Sequence, residues 1–84
     1  MITTLKFYAT WCGPCSVVSK QLEGLNLQEV DLDQDEDGLA IKYKIRNVPT
    51  LVFLKDGVEV DRHSGLITRD AYLDKVNDLE NGRQ

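Results

Sequence analysis

Cys12 and Cys15 are the only cysteines in the 84-residue chain, and they stand three apart in Trp11-Cys12-Gly13-Pro14-Cys15, directly after the apolar run Leu5 to Ala9. At the start of a helix this spacing puts both sulfurs on one face, close enough to alternate between a dithiol and a disulfide. A purely structural disulfide there would restrain the unfolded chain little, because the stabilisation grows with the length of the closed loop. Zinc is the other use of such a pair, but structural zinc takes four nitrogen or sulfur ligands, and His63 is the only histidine. The residues therefore point to redox chemistry with no metal and no cofactor.

Eighty-four residues with a formal net charge of -4 allow one domain, residues 1–84, with an ordinary acidic surface. Nothing in that charge recruits nucleic acid. No apolar run reaches the ~20 residues of a membrane span, and the N-terminus lacks a basic segment followed by an apolar stretch. The expected compartment is the cytoplasm, where a lone cysteine pair is more often catalytic than architectural.

The elements that must position the pair follow from periodicity. Thr4 to Ala9 alternates, with Leu5, Phe7 and Ala9 on one face and Lys6 and Tyr8 on the other, which predicts a strand. Helix is expected from about Cys12 to Glu23, with Pro14 in its first turn and Gly24 at its end. Leu27 to Leu32 is a second strand. A short helix follows Asp37, with Ala40 and Tyr43, or Ile41 and Ile45, as its buried positions. Thr50 to Leu54 and Val58 to His63 form a hairpin across Asp56-Gly57. Thr68 caps a last helix with Tyr72, Leu73, Val76 and Leu79 inward, and Glu80 to Gln84 is expected to fray. Asp33 to Gly38 fits the opening of a calcium loop, but Lys44 stands where the closing glutamate belongs, so it reads as a solvated acidic connection.

The order βαβ, then α, then ββα describes one mixed α/β sheet with helices on both faces. Together with Trp11-Cys12-Gly13-Pro14-Cys15, the segments Lys42 to Thr50 with Val48-Pro49-Thr50, Lys55-Asp56-Gly57 and Gly65 resemble a thioredoxin in content, order and spacing. The resemblance implies a thioredoxin-like fold with four strands in the order second, first, third, fourth, lacking the family's usual first strand and helix. It also implies a reductase of protein disulfides, working as a monomer with disulfide-containing protein substrates and a thioredoxin reductase or equivalent electron donor. The glutaredoxin-like size leaves a glutathione-dependent reductase as an alternative, although glutaredoxin-like motifs usually carry a different dipeptide between the cysteines. A non-enzymatic subunit of a larger assembly is a further alternative, and its function would survive replacement of both cysteines by serine.

Cys12, at the helix N-terminus, is the expected nucleophile, since unsatisfied amides there favour thiolate, and Cys15, a turn deeper, is the expected resolving thiol. Gly13 and Pro14 set the turn between them. Trp11 is either an exposed aromatic that shields the sulfur and meets partners, or a core residue. Pro49 alone reads as a strand-initiating proline. The resemblance makes it a cis proline against the cysteines, with Val48 offering its backbone to substrate. It likewise makes Gly65 a residue of the same groove, although Gly65 also reads as an ordinary turn glycine. Where thioredoxins usually carry an aspartate six residues before the nucleophile and a lysine on the neighbouring strand, this chain has Lys6 and Glu29. Either the charges are exchanged within a functional pair, with Glu29 as acid/base near Cys15 and Lys6 as counter-ion, or both are independent surface residues.

Overall fold

A computed structural model of the chain describes residues 1–82. It comprises β1 (Ile2–Tyr8), α1 (Gly13–Gln21), β2 (Gln28–Asp31), a 3-10 turn (Leu32–Gln34), α2 (Leu39–Lys42), β3 (Thr50–Lys55), β4 (Val58–Ser64) and α3 (Arg69–Glu80). The four strands form one sheet in the order β2-β1-β3-β4. β1 runs parallel to β2, with Lys6 opposite Glu29, and antiparallel to β3, with Lys6 opposite Leu51. β3 and β4 pair antiparallel across Asp56 and Gly57, whose φ values of 53° and 83° supply the left-handed backbone that a two-residue hairpin turn needs.

Two apolar layers sandwich the sheet. Val18 and Leu22 at α1, Leu51 and Phe53 of β3, and Tyr72 and Leu79 of α3 form one of them. Leu5, Phe7, Val30, Val52 and Leu54 form the other, covered by Leu39, Ala40 and Tyr43 of the α2 region. β1 and β3 are interior strands with both faces covered, which is why Thr4, Leu5, Lys6 and Phe7 are buried in succession. The polar members of β1 need partners there. Thr4 Oγ1 lies 2.8 Å from the Tyr72 hydroxyl, and burial pushes the Tyr72 phenol up despite that bond.

Several expectations need correction. Lys6 is not on an open face, because α1 covers it and supplies Ser19 as its partner. Leu32 leaves the strand for the 3-10 turn, and α1 stops at Gln21 instead of Glu23. α2 is a single turn with Ala40 and Tyr43 inward, while Ile41 is exposed. Its amides are held by Asp35, whose two carboxylate oxygens accept from Leu39 N and Ala40 N at 2.9 Å each, so the acidic connection is also a cap. Leu73 is exposed, while Tyr72, Val76 and Leu79 pack inward as expected. α3 extends through Glu80, and the expected fraying of Arg83 and Gln84 lies outside the described residues.

α3 is also tied to the sheet by Lys75, whose Nζ donates to Asp61 Oδ2 at 2.7 Å. That hydrogen bond holds the Asp61 carboxyl below its ordinary value. A depressed carboxyl stabilises the fold above its unfolded pKa and loses that contribution as pH falls through the folded one. Both side chains are about a third exposed, so screening limits the effect. Asp61→Asn is therefore expected to lower stability by less than about 1 kcal/mol at pH 7. In urea titrations the gap from wild type should close as the pH drops below about 4. A constant gap across pH would show that the ion pair contributes nothing.

Candidate active site

β1 ends at Tyr8, and the chain turns through Thr10 and Trp11 so that Cys12 becomes the N-cap of α1, with φ -96° and ψ 110°. Cys12 N donates to Ala9 O at 3.2 Å, which closes this turn. Its sulfur does what a capping oxygen does elsewhere, accepting from Cys15 N at 3.2 Å. Gly13 and Pro14 occupy the exposed first turn, where proline removes an amide that would have no helical partner. The two cysteines are joined as a disulfide, with their Cα atoms 5.3 Å apart.

The pair is unequal: Cys12 is 9% exposed and Cys15 2%. Cys12 is the less buried of the two and follows Trp11, which is 71% exposed and so belongs to no core cluster. Cys15 packs inward with Ala9.

The segment before β3 closes over the sulfurs. The Val48-Pro49 peptide is cis, as the resemblance implies. Val48 packs against the cluster of Ala9, Cys12 and Cys15, and its carbonyl oxygen lies 3.7 Å from Cys12 Sγ. Pro49 is buried and its carbonyl accepts from Gly65 N at 2.9 Å, which joins the two segments. Gly65 has φ +94°, so it is both the turn glycine and a neighbour of Pro49. Exposed Leu66 follows it, an apolar residue that no motif in the sequence marks. Thr50 is a further addition: its hydroxyl donates to Asn47 O at 2.7 Å and lies 3.2 Å from Ser64 Oγ, bracing the Val48-Pro49 segment.

Beneath α1, Lys6 is 2% exposed. Its Nζ donates to Ser19 Oγ on α1 and, at 3.3 Å, to Glu29 Oε1 on β2. Glu29 is 56% exposed. The structure thus brings Lys6 and Glu29 together and adds Ser19, a residue one helical turn after Cys15 whose only signal in the sequence is that i, i+4 spacing. Tyr8 lies next to this group, with Lys6 Nζ 5.4 Å from its ring centroid. Burial, and then the charges of Asp31 and Glu29, push its phenol up. Among the described residues no cluster of His, Cys, Asp and Glu could hold a metal ion, and no helix is long and apolar enough to cross a membrane.

This geometry has known counterparts. The thioredoxin family model matches residues 2–78. A thioredoxin of Chlamydia caviae is 35% identical over 83 residues, covering 90% of this chain and 80% of the relative. A thioredoxin of Bacillus subtilis is 34% identical over 79 residues, covering 84% and 75%. Among solved structures, an N21Q mutant thioredoxin from Halobacterium salinarum superposes with a TM-score of 0.82 at 35% identity, covering 92% of this chain and 73% of the other. Sequence, sheet order and the cysteine pair at the N-terminus of α1 agree, and the chain belongs to the thioredoxin family of thiol-disulfide oxidoreductases.

Proposed function

We propose that Cys12 is the nucleophile of this oxidoreductase, Cys15 its resolving thiol, and residues 1–84 the one domain that carries the cycle. The observation that carries the assignment is the Cys15 N–H directed at Cys12 Sγ from the first turn of α1. An amide and a helix N-terminus aimed at a sulfur favour thiolate at that atom. In the reduced protein Cys12 Sγ attacks one sulfur of a substrate disulfide and expels the other as thiolate, which takes up a proton. The product is a mixed disulfide between Cys12 and the substrate. Cys15, deprotonated, then attacks Cys12 Sγ, the internal disulfide forms, and the second substrate sulfur leaves. Two electrons and two protons pass from the protein to the substrate.

The surface around Cys12 supports the binding roles. Trp11, Gly13 and Pro14 adjoin Cys12 in the chain and are exposed, while Val48 packs against both cysteines and leads through Pro49 to Gly65, whose amide donates to Pro49 O. An extended substrate strand pairs with the Val48 backbone across the sulfur. The substrates are proteins with accessible disulfides, and the electrons come from a thioredoxin reductase in a cytoplasmic compartment, to a monomer. Glutathione is the competing donor, so reduction of the oxidised protein by each donor separately is the deciding assay. Rapid reduction by the reductase supports this reading, and reduction by glutathione alone overturns it.

Glu29 is the acid/base of the resolving step in this reading, taking the Cys15 proton, with Lys6 as its counter-ion. Glu29→Gln is expected to slow resolution of a preformed mixed disulfide about tenfold or more and to flatten its pH dependence, read by stopped-flow release of the substrate thiol. Lys6→Met is expected to be non-additive with it, because the pair acts as one unit. Unchanged resolution across pH in Glu29→Gln leaves the carboxylate without this role.

A further inference from the structure

Between α1 and α3 lies an open groove of about 460 Å³. One face of each helix forms a wall: Val17 and Gln21, four apart on α1, and Ala71 and Lys75, four apart on α3. Leu66 and Ile67, from the connection between β4 and α3, add apolar surface. Val17 and Leu66 are exposed, so the fold leaves this apolar surface in water.

The polar residues of the lining are already engaged. Gln21 Oε1 accepts from Arg69 N at 2.9 Å, and the Thr68 hydroxyl accepts from Ala71 N at 3.1 Å. His63 Nε2 donates to Leu66 O at 2.9 Å, since a carbonyl can only accept, and Lys75 is held by Asp61. An occupant of the groove therefore meets chiefly apolar surface, which selects an apolar group over a charged one.

Two routes join the groove to the reactive sulfur, the one point that any disulfide substrate must touch. Along α1, a rise of about 1.5 Å per residue puts Val17 about 7.5 Å and Gln21 about 13.5 Å past Cys12. On the other route, Val48 O lies 3.7 Å from Cys12 Sγ, Pro49 O accepts from Gly65 N, and Leu66 is the next residue. We infer that the groove receives a large apolar side chain of the protein substrate, about three residues from its reacting cysteine. An extended chain spans about 3.3 Å per residue, so three residues reach about 10 Å, between Val17 and Gln21. This deepens the dithiol cycle proposed above and rests on it, adding a substrate feature that the cycle itself does not require.

A competition between two homodimeric peptide disulfides tests this. One carries phenylalanine three residues to either side of its cysteine, and the other carries serine at those positions. Equimolar amounts compete for limiting, fully reduced protein, and an early acid quench fixes the thiols released from each. The reduced protein supplies both electrons and both protons, so each disulfide consumed yields two peptide thiols and one oxidised protein. Competition reads the ratio of the two specificity constants, and that ratio does not depend on how much of a variant is folded. The wild type is expected to prefer the phenylalanine peptide about tenfold, as partial burial of an aromatic ring would supply. Ala71→Lys, which sets a long charged side chain into the groove, and Val17→Ser, which strips apolar surface from its wall, should each lower the preference to about twofold or less. Equal use of both peptides by the wild type, or an undiminished preference in either variant, overturns the inference. A wild-type dimer in sedimentation that Ala71→Lys dissociates also overturns it, because a second copy of the chain is then the occupant. Reduction of neither peptide counts against the Cys12 cycle and the inference together, whereas equal reduction of both leaves the cycle standing and removes the groove alone.

Discussion

Cys15→Ser is expected to accumulate a covalent complex with a disulfide-containing protein substrate through Cys12, while Cys12→Ser forms no complex and loses turnover to background. The effect is the largest available because the two sulfurs are the only thiols in the chain, and a serine hydroxyl cannot replace a thiolate at neutral pH. The asymmetry follows from position. Cys12 is the N-cap of α1, keeps more exposure than Cys15, and receives the Cys15 amide, while Cys15 is the more deeply enclosed member of their cluster with Ala9. A substrate therefore meets Cys12 first. With Cys15 gone, the mixed disulfide has no internal thiol to release it and survives non-reducing electrophoresis. Trapping by both single variants in equal yield would reverse the view that burial assigns the roles.

Phe53→Ala is expected to destabilise the fold by about 3 to 5 kcal/mol. Phe53 is fully buried on an interior strand, with its ring centroid 5.9 Å from that of Tyr72. It lies between the helices α1 and α3, so removing it opens a cavity where the sheet meets both. Stabilities of small domains lie at about 5 to 15 kcal/mol, and a loss of this size leaves the variant marginal. Urea denaturation should show a much lower midpoint with little change in slope. A loss below about 1 kcal/mol would mean that the neighbouring chains collapse into the space.

The sequence disclosed the parts of this fold that depend on near neighbours. Cys12-Gly13-Pro14-Cys15 declares a helix start because the proline, the spacing and the preceding apolar strand are contiguous, and Asp56-Gly57 declares its hairpin for the same reason. Thr68 likewise caps α3 as expected, accepting from Ala71 N. What stayed hidden depends on residues far apart in the chain. Lys6 alternates with apolar residues and so reads as outward, yet α1 crosses over it and supplies Ser19, thirteen residues later. Thr4 meets Tyr72 across 68 residues, an arrangement that no local pattern encodes. Leu73 and Ile41 are apolar residues on helices whose inward faces are already filled, by Tyr72, Val76 and Leu79 in α3 and by Ala40 and Tyr43 at α2. Hydrophobicity alone could not reveal which of them would be left outside. The cis Val48-Pro49 peptide was legible only through the family resemblance, since most X-Pro bonds in folded proteins are trans.

The expected flow of electrons is from a reductase, through the Cys12-Cys15 pair, to a protein disulfide. It is tested most directly by following NADPH oxidation in a mixture of thioredoxin reductase, the purified protein and a disulfide-containing protein substrate. Continuous NADPH consumption with one substrate disulfide reduced per NADPH is expected, and none above background with Cys12→Ser. Absence of NADPH consumption by the wild type, with full turnover restored when glutathione replaces the reductase, would contradict this flow.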